Sequence, residues 1–355
     1  MNVSVVHADD GSLVGGIAML MNREAYEMHS YYDAVRDLTF PTEFVAFSVD
    51  EARAWRQRYA GKPWTTEEEA ACRALETRLS DAITRVGGTN GAFVRLSTRS
   101  PKDAPSLLDR ADIVCALRRH LACIVLEFPD AAPPVARNTP LQVLALRRAW
   151  FDLMRVHTGS EALALCSLSS RVISDMRRAL NHIDQVPWHM CFIVREFVPL
   201  PLEHELRGFV YQQRLVAVSQ YATDLFVPKL VSRRAEVATL VRTFFEAEIR
   251  ERLPAISDYV VDLVLLGSNL EVVRLLELNP YTSQTGGALF DWTNDADVLH
   301  GRREFELRLV EEAPRAEGVL LQGADLIAEA LVGALGADET ASTALVAGGN
   351  VCVVM

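Results

Sequence analysis

The sequence predicts an α+β fold built on antiparallel sheets. Helical and strand-like segments alternate irregularly along 355 residues, and several strand-like pairs are joined by short polar turns, which is the pattern of β-hairpins. Frequent hairpins favour antiparallel sheets over a doubly wound parallel sheet. The sequence contains neither a G-x-G-x-x-G nor a Walker A loop, which removes two common nucleotide-binding folds. A chain of this length exceeds one small core, so we expect two or three lobes.

The first hundred residues predict short strands and two capped helices. Ser48 and Asp50 can cap a helix that runs to about Arg58. Thr65 precedes a threonine and three glutamates, which open a second helix over about 66–86, and this helix ends at a glycine pair where the chain can take positive φ. The other predicted elements are a hairpin over 1–21, a strand from 40 to 48, a strand over 91–97 and a polar loop over 98–105.

The middle of the chain predicts mainly helices. Apolar residues at helical spacing indicate helices over 106–122 and 234–253. The short apolar run at 123–128 predicts a buried strand, which is typical of sheet interiors. The other predicted elements are a proline-rich connection over 130–140, helices over 141–158 and 159–181, a strand over 192–198 and a hairpin from 205–210 to 215–220. The tail after about 313 predicts one helix followed by a Val-rich strand or a loose end.

The stretch from Tyr259 to Tyr281 predicts a hairpin with acidic groups on one face. Two apolar runs flank the polar turn at 267–269. Folding there can bring Asp262 close to Glu277, and Asn279 leaves the same face as Glu277 because it is two residues further along the strand. Two buried carboxylates need a counter-charge, and Mg²⁺ prefers such oxygen ligands. The alternative is an ordinary half-solvated sheet face.

Composition and charge narrow the class of protein. A net charge of −11 argues against a nucleic-acid-binding surface spread over the molecule but allows a local basic cleft. The six cysteines are dispersed and form no C-x-x-C pair, which indicates reduced thiols. No run reaches the length of a membrane helix, and we expect no secretory signal. The sequence therefore predicts a cytoplasmic protein.

Two further clusters are candidates for binding a nucleotide. The first is a loop with Arg95, Arg99 and Lys102 beside serine and threonine hydroxyls; it could grip a polyphosphate or be a solvated surface loop. The second is the strand end at 195–198, followed by a Glu-x-Arg at 205–207. Backbone groups there could contact adenine and a carboxylate the ribose, or the strand could be an edge with cross-strand Glu–Arg pairs.

Taken in order along the chain, these clusters resemble the cell division cycle protein 123 family, which has an ATP-grasp fold. In that fold, two α+β lobes clamp ATP and magnesium between them. The resemblance extends over roughly 40–295. The segments that show it are FVRLSTRSPKDA (93–104), REFVPLPLEHELRGFV (195–210), LVAVSQY (215–221), YVVDLVLL (259–266) and LLELNPY (275–281), supported by FPTEF (40–44) and LFDW (289–292).

The resemblance implies a role for each matching residue. Arg95 stands where the family has a phosphate-contacting lysine, and Lys102 and Asp103 match a basic–acidic pair that faces the nucleotide. The ATP-binding candidates are Arg95, Lys102, Asp103, Arg195, Glu196, Phe197, Val198, Glu205 and Arg207. The implied magnesium ligands are Asp262, Glu277 and Asn279. The implied division is a lead segment over 1–88, a first ATP-grasp lobe with its hinge over 89–198, a second lobe over 199–312 and a tail over 313–355.

The resemblance also implies a function. Eukaryotic members of this family help to assemble translation initiation factor 2 by binding its gamma subunit, so we expect an assembly factor that binds ATP and Mg²⁺ and has this protein partner. The alternative is a divergent ATP-grasp ligase or kinase that transfers the γ-phosphoryl group of ATP to an unknown acceptor. For an enzyme, His204 and Lys229 are the candidate general bases, and neither is part of a recognisable catalytic motif.

Overall fold

The computed structural model describes residues 24–129, 134–312 and 323–335. These residues form two β-sheets with helices packed against them. The fold is α+β, as the sequence predicts, with one antiparallel sheet and one mixed sheet. The hairpin predicted over 1–21 lies outside the described residues. Within the described ranges, no helix combines the length and the apolar character needed to cross a membrane.

The elements are numbered in chain order. The strands are β1 (Thr42–Ala46), β2 (Ala92–Leu96), β3 (Arg155–Val156), β4 (Cys191–Glu196), β5 (Glu205–Tyr211), β6 (Arg214–Gln220), β7 (Tyr259–Leu266), β8 (Val272–Pro280) and β9 (Glu306–Arg308). The helices are α1 (Met28–Val35), α2 (Val49–Tyr59), α3 (Thr66–Gly87), α4 (Arg110–Glu127), α5 (Thr139–Asp152), α6 (Gly159–Leu168), α7 (Ser170–Asn181), α8 (Pro228–Ser232), α9 (Arg234–Phe244), α10 (Ala296–Leu299) and α11 (Ala324–Leu335).

The first sheet has the order β1-β4-β2-β3, and all its pairs are antiparallel. Helices α2, α3, α6 and α7 contribute to the core on one of its faces, around the fully buried Trp55 and Phe192. Helix α6 approaches α3 so closely that a Cβ at Gly159 would overlap the carbonyl group of Glu76. Glycine is therefore required where these two helices meet.

The second sheet has the order β8-β7-β5-β6-β9. Its pairs are antiparallel except for β6 and β9, which run parallel. The β5–β6 turn places Gln212 and Gln213 at φ values of 50° and 60°, as the right-handed twist of a two-residue hairpin requires. The β7–β8 hairpin forms around the predicted turn, and it pairs Asp262 with Glu277.

Both predicted helix starts are confirmed. Ser48 and Thr65 each begin a helix with a capping box, in which the cap side chain and the glutamate three residues later bond each other's backbone N–H groups. Such reciprocal caps satisfy donors that the first helical turn leaves open. Helix α3 ends at the predicted glycine pair, where Gly88 has a φ of 51°.

The predicted strand at 123–128 is wrong, because these residues continue helix α4 to Glu127. Leu117, Leu121 and Ile124 are buried at helical spacing, whereas Leu126 is 70% exposed. Only one stripe of this apolar run therefore faces the core. Periodicity alone does not separate a short buried strand from the last turns of a helix.

The two helices predicted over 141–181 are also corrected. The first ends at Asp152, since the chain then forms β3 and pairs with β2. The second is divided at Ser169, which has an extended backbone and caps α7 by accepting a hydrogen bond from Val172 N. The connection predicted over 130–140 contains a 3₁₀ turn at Val135–Arg137 and gives way to α5 at Thr139.

The remaining helical predictions are confirmed with small changes. The long helix over 234–253 consists of α9 followed by a π turn at Phe245–Ile249 and a 3₁₀ turn at Arg250–Arg252. In the tail after 313, the described part is helix α11. It packs on α4, where Arg110 bridges to Asp325 and Glu329.

Candidate functional site

The centre of the candidate site is a buried ion pair on the second sheet. Arg207 on β5 lies directly opposite Asp262 on β7. Its Nε and Nη2 atoms donate to Asp262 Oδ1 and Oδ2, both at 2.8 Å, and its Nη1 donates to the Gly286 carbonyl at 2.6 Å. Asn279 Nδ2 also donates to Asp262 Oδ2, at 3.0 Å. The acidic hairpin face is therefore assembled as the sequence predicts, with an arginine as its internal counter-charge.

A second ion pair joins the two sheets. Arg95 on β2 donates through Nη1 to Glu277 Oε2 on β8, and Glu277 lies opposite Asp262. Burial acts to raise the pKa of Glu277, but the Arg95 charge and hydrogen bond outweigh it and lower the pKa to about 2. Glu277 is therefore a carboxylate at neutral pH, and its charge is balanced by a residue of the first sheet.

Glu205 shows that the acidic side of this cluster is crowded. It lies two residues before Arg207 on β5 and hence on the same face of the sheet. Burial, together with the nearby Asp262 and Glu277 carboxylates, raises the pKa of Glu205 to about 8. The pKa of Asp262 is also raised, by burial first, against the opposing effect of Arg207. This face carries more carboxyl groups than its arginines fully compensate.

Lys102 reaches the same cluster from the loop after β2. Its Nζ atom donates to the Tyr221 hydroxyl at 3.1 Å. The Arg207 guanidinium lies over the ring of that tyrosine, with Cζ 4.7 Å from the ring centroid. Tyr221 therefore links Lys102 to Arg207. The structure thus brings Arg95, Lys102 and Arg207 to one place, where the first sheet and its loop meet the second sheet.

Asp103 is oriented differently from its neighbour Lys102. Its carboxylate accepts hydrogen bonds from the Ser169 hydroxyl at 2.5 Å, the Ser170 hydroxyl at 3.0 Å and the Arg171 backbone N–H at 3.3 Å. Burial acts to raise the pKa of Asp103, but these hydrogen bonds outweigh it and lower the pKa. Asp103 therefore anchors the basic loop to the first turn of α7.

Two of the predicted hinge residues, Arg195 and Phe197, are buried, and the other two are half-buried. Arg195 is buried and spans the sheets: Nη1 donates to the Leu276 carbonyl at 2.8 Å, and Nη2 donates to the Thr39 hydroxyl. Burial lowers the pKa of Arg195 to about 10. Phe197 is stacked on Phe151, with ring centroids 5.1 Å apart. Glu196 and Val198 are half-buried at the end of β4.

The candidate general bases lie elsewhere. Lys229 donates to the Ser268 carbonyl in the β7–β8 turn, six residues after Asp262 and beyond the end of β7. His204 is near Glu203 and Arg148, and burial lowers its pKa. Among the described residues, the side-chain hydrogen bonds and ion pairs of Asp262 and Glu277 are formed with Arg207, Asn279 and Arg95, and not with His204 or Lys229.

Sequence reasoning missed several contributors to this site. Tyr221 could have been found, because it follows β6 directly and the hairpin register places it beside Glu205. Other contributors could not be found from local sequence, because they come from distant segments that only the tertiary fold brings together. They are Thr39, the Gly286 carbonyl and the donors to Asp103 at 169–171.

The donor set at the hairpin suits a hard divalent cation. Asp262, Glu277 and the Asn279 carboxamide offer oxygen ligands of the kind that Mg²⁺ combines with substrate phosphates. Here the carboxylates accept hydrogen bonds from Arg207 and Arg95 instead. Within the described part of the chain, no group of three or more His, Cys, Asp and Glu side chains is arranged to hold a metal by itself. A metal there needs ligands from a second bound group, such as phosphate oxygens.

Comparisons with known proteins agree with this architecture. The family model D123 matches residues 150–323, which include β4 to β9 and the Arg207–Asp262–Glu277 cluster. Among solved structures, the chain is similar to Cdc123 from Schizosaccharomyces pombe, with a TM-score of 0.57, 19% identity, and coverage of 81% of this chain and 96% of that chain. A C-terminally truncated Cdc123 from the same organism matches with a TM-score of 0.57, 17% identity and coverage of 84% and 98%.

The search of curated proteins gave no match. The likeness to the solved structures shows a shared fold over most of the chain, and the family match covers the whole second sheet. Together, these findings show that the chain is similar to the D123 family over residues 150–323 and shares the fold of Cdc123.

Proposed function

We propose that this protein binds Mg-ATP between its two sheets, as an ATP-grasp protein, and acts as an assembly factor for translation initiation factor 2 through the gamma subunit of that factor. The observation that supports nucleotide binding is the meeting of two arginine–carboxylate pairs, Arg95–Glu277 and Arg207–Asp262, at the contact between the sheets. The two arginines suit phosphate oxygens, and the two carboxylates suit the magnesium ion that accompanies the phosphates.

The phosphate contacts of this proposal come from Arg95, Lys102 and Arg207. Arginine presents a planar fork that fits phosphate oxygens, and lysine adds a point charge. Both arginines are paired with carboxylates. A triphosphate offers these arginines alternative oxygen partners, so nucleotide binding releases carboxylate oxygens at the same time.

The metal ligands of this proposal are Asp262, Glu277 and Asn279. Bound Mg²⁺ neutralises charge on phosphate oxygens. Within the chain, Asp262 and Glu277 supply the negative charge that holds the cation, and Asn279 orients Asp262 through its hydrogen bond. The raised pKa of Glu205 supports a cation at this position, since it shows carboxyl groups crowded together without full compensation.

The adenine end of the nucleotide is assigned to the end of β4. Glu196 and Val198 are half-buried there. The Glu196 N–H donates to the Pro41 carbonyl, so the contact with the base is assigned to the backbone of Val198, and the Glu196 carboxylate is assigned to the ribose. Phe197 packs away from this position against Phe151, and the Arg155 guanidinium lies 4.3 Å above its ring. Its role is to fix the strand end. Arg195 fixes β4 to β8 in the same way.

The assembly role is inferred from the relationship to Cdc123. In the family, eukaryotic members bind the gamma subunit of translation initiation factor 2, and an assembly step needs the nucleotide only to order a binding surface. This role places the protein in the cytoplasm. It requires no general base, so it assigns no catalytic role to His204 or Lys229.

The enzyme alternative is supported by one feature. A pocket opens beside Arg95 and Glu277, lined also by Glu27, Ser97 and Thr98. A ligase or kinase of the ATP-grasp type needs an acceptor site next to the transferring phosphoryl group, and this pocket has the required position. Transfer to an acceptor would release ADP, whereas an assembly factor retains intact ATP.

The first test is calorimetric titration of ATP with and without Mg²⁺, together with product analysis. We expect the wild type to bind Mg-ATP and the Glu277→Gln variant to lose the magnesium dependence. Glu43→Gln is the matched control, because Glu43 forms an exposed pair with Arg85 on the first sheet. Binding without products, and capture of the isolated gamma subunit, supports the assembly factor; steady release of ADP supports the enzyme. No binding of Mg-ATP by the wild type contradicts the proposal.

A further inference from the structure

The pocket beside the Arg95–Glu277 pair contains buried polar atoms without partners. Glu27 and Ser97, which line it, are only 3% and 4% exposed. Among the described residues, neither carboxylate oxygen of Glu27 has a hydrogen-bond partner, and the same holds for the hydroxyl oxygens of Ser97 and Thr98. Buried acceptors without donors are costly and uncommon in native proteins. This concentration of them in one pocket calls for a bound donor.

The histidines and the arginine near Glu27 do not provide the missing hydrogen-bond donors. His29 Nδ1 lies 3.7 Å from one carboxylate oxygen of Glu27, and His189 Nε2 lies 3.5 Å from the other. Both contacts are within ion-pair distance but outside hydrogen-bond geometry. Arg95 is engaged by Glu277. The pocket side of Glu27 is therefore left with open acceptor sites.

We propose that this pocket binds a small primary amine through its ammonium group. An ammonium group has three N–H donors and no acceptor, and three acceptor groups line the pocket: the Glu27 carboxylate and the hydroxyls of Ser97 and Thr98. A single water has only two donors. A carboxylate or phosphate ligand is disfavoured, because it would face Glu27 without a free cation.

This inference goes beyond nucleotide binding and does not depend on it. The amine site is formed by residues from the start of α1 and the end of β2, and it is tested without ATP. If Mg-ATP also binds as proposed, the amine is located next to Glu277 and Asn279, which also line the pocket. A second substrate or effector then lies beside the phosphate end of the nucleotide.

The test is ligand-observed NMR on the full chain without nucleotide, with ethylammonium as the probe. We expect saturable binding of ethylammonium and at least about tenfold weaker binding to Glu27→Gln, which keeps the shape of the side chain but removes its charge. Ser97→Ala should weaken binding by a smaller factor. Glu67→Gln, which alters an exposed glutamate in the first turn of α3, should leave it unchanged.

Three comparison probes make the outcome decisive. Ethanol and propionate should not show saturable binding. Ethyltrimethylammonium has the charge but no N–H donor, so equal binding of this probe would overturn the hydrogen-bonded assignment. Displacement of ethylammonium by an equal concentration of K⁺ would overturn the amine in favour of a simple cation. Absence of saturable ethylammonium binding, or unchanged binding to both the Glu27→Gln and Ser97→Ala variants, would also overturn the proposal.

Discussion

Arg207 and Asp262 face each other on neighbouring strands and form a bidentate ion pair with both N–O distances at 2.8 Å. Asp262 is only 1% exposed. Moving two such charges out of water costs several kcal/mol, so a buried pair is a weak device for stability alone. The second pair joins Arg95 on β2 to Glu277 on β8, the strand next to β7. Two internally neutralised pairs side by side support a site that exchanges these contacts for those of a charged ligand.

Removing Asp262 should destabilise the fold strongly. In Asp262→Ala, the Arg207 guanidinium stays buried without its partner, at a cost of about 3–5 kcal/mol. The double variant Asp262→Leu/Arg207→Met should lose less than the single variant, because no charge is left uncompensated. Urea unfolding of the three proteins measures this difference. As control, Glu43→Ala breaks an exposed pair and should cost no more than about 1 kcal/mol.

The same unfolding experiment is needed to interpret the effect of Asp262→Ala on metal binding. Loss of Mg-ATP binding in Asp262→Ala counts as a site effect only where the variant is still folded under the binding conditions. A double variant as unstable as Asp262→Ala would show that hydrogen bonds to other residues, rather than an uncompensated charge, determine the loss of stability.

Arg95→Ala should weaken ATP binding far more than adenosine binding. Arg95 is the cation that the first sheet contributes to the proposed phosphate site, and a lost charged hydrogen bond corresponds to at least about tenfold in affinity. Adenosine has no phosphate, so its affinity should change by less than about twofold. Calorimetry with both ligands checks this prediction. An equal loss for ATP and adenosine would mean that Arg95 does not contact phosphate.

The predictable part of this site is the part determined by strand register. The hairpin turn at 267–269 determines which residues of β7 and β8 face each other, so the closeness of Asp262 and Glu277 follows from local sequence. The basic loop indicated Arg95 and Lys102 as candidate phosphate contacts, the resemblance implied the same role, and the structure brings both to the cluster. The partners of Asp103 were not predictable, because α7 reaches the loop only through tertiary packing.

The secondary structure was also predictable where the signal is local, and its prediction failed where tertiary packing decides which residues are buried. The capped helices and tight hairpins have local signals, and they were predicted correctly. The run at 123–128 was predicted as a strand because apolar residues dominate it, although only Ile124 within it is fully buried. Which side of such a run faces the core depends on α5 and α11, the helices packed against it.

Asp103→Ala should loosen the basic loop and lower the affinity for Mg-ATP. The Asp103 carboxylate accepts three hydrogen bonds at the first turn of α7, where a negative charge is also favoured by the helix dipole. Losing these hydrogen bonds at the start of α7 should cost about 0.5–2 kcal/mol of stability, the range found for side chains that accept from the first helical turn. Hydrogen exchange of the loop and calorimetry measure the two effects. Ser106→Ala, which removes a hydroxyl that donates to the Asp103 carbonyl, is a control in the same loop. An equal effect of this variant would contradict the role assigned to the Asp103 carboxylate.

The contact between His189 and Glu27 should make stability depend on pH. The Glu27 carboxylate, 3.5 Å away, raises the pKa of His189 to about 9, whereas an unfolded histidine titrates near 6.5. A raised folded pKa contributes stability that is fully present below about pH 6.5 and is lost as the pH rises through 9. The melting temperature of the wild type should therefore exceed that of His189→Gln by most near pH 6, and the difference should shrink by pH 9.5. His157→Gln, at an exposed histidine, should show no such trend. A difference that stays constant across this range would show that His189 stabilises the fold through packing and not through its charge.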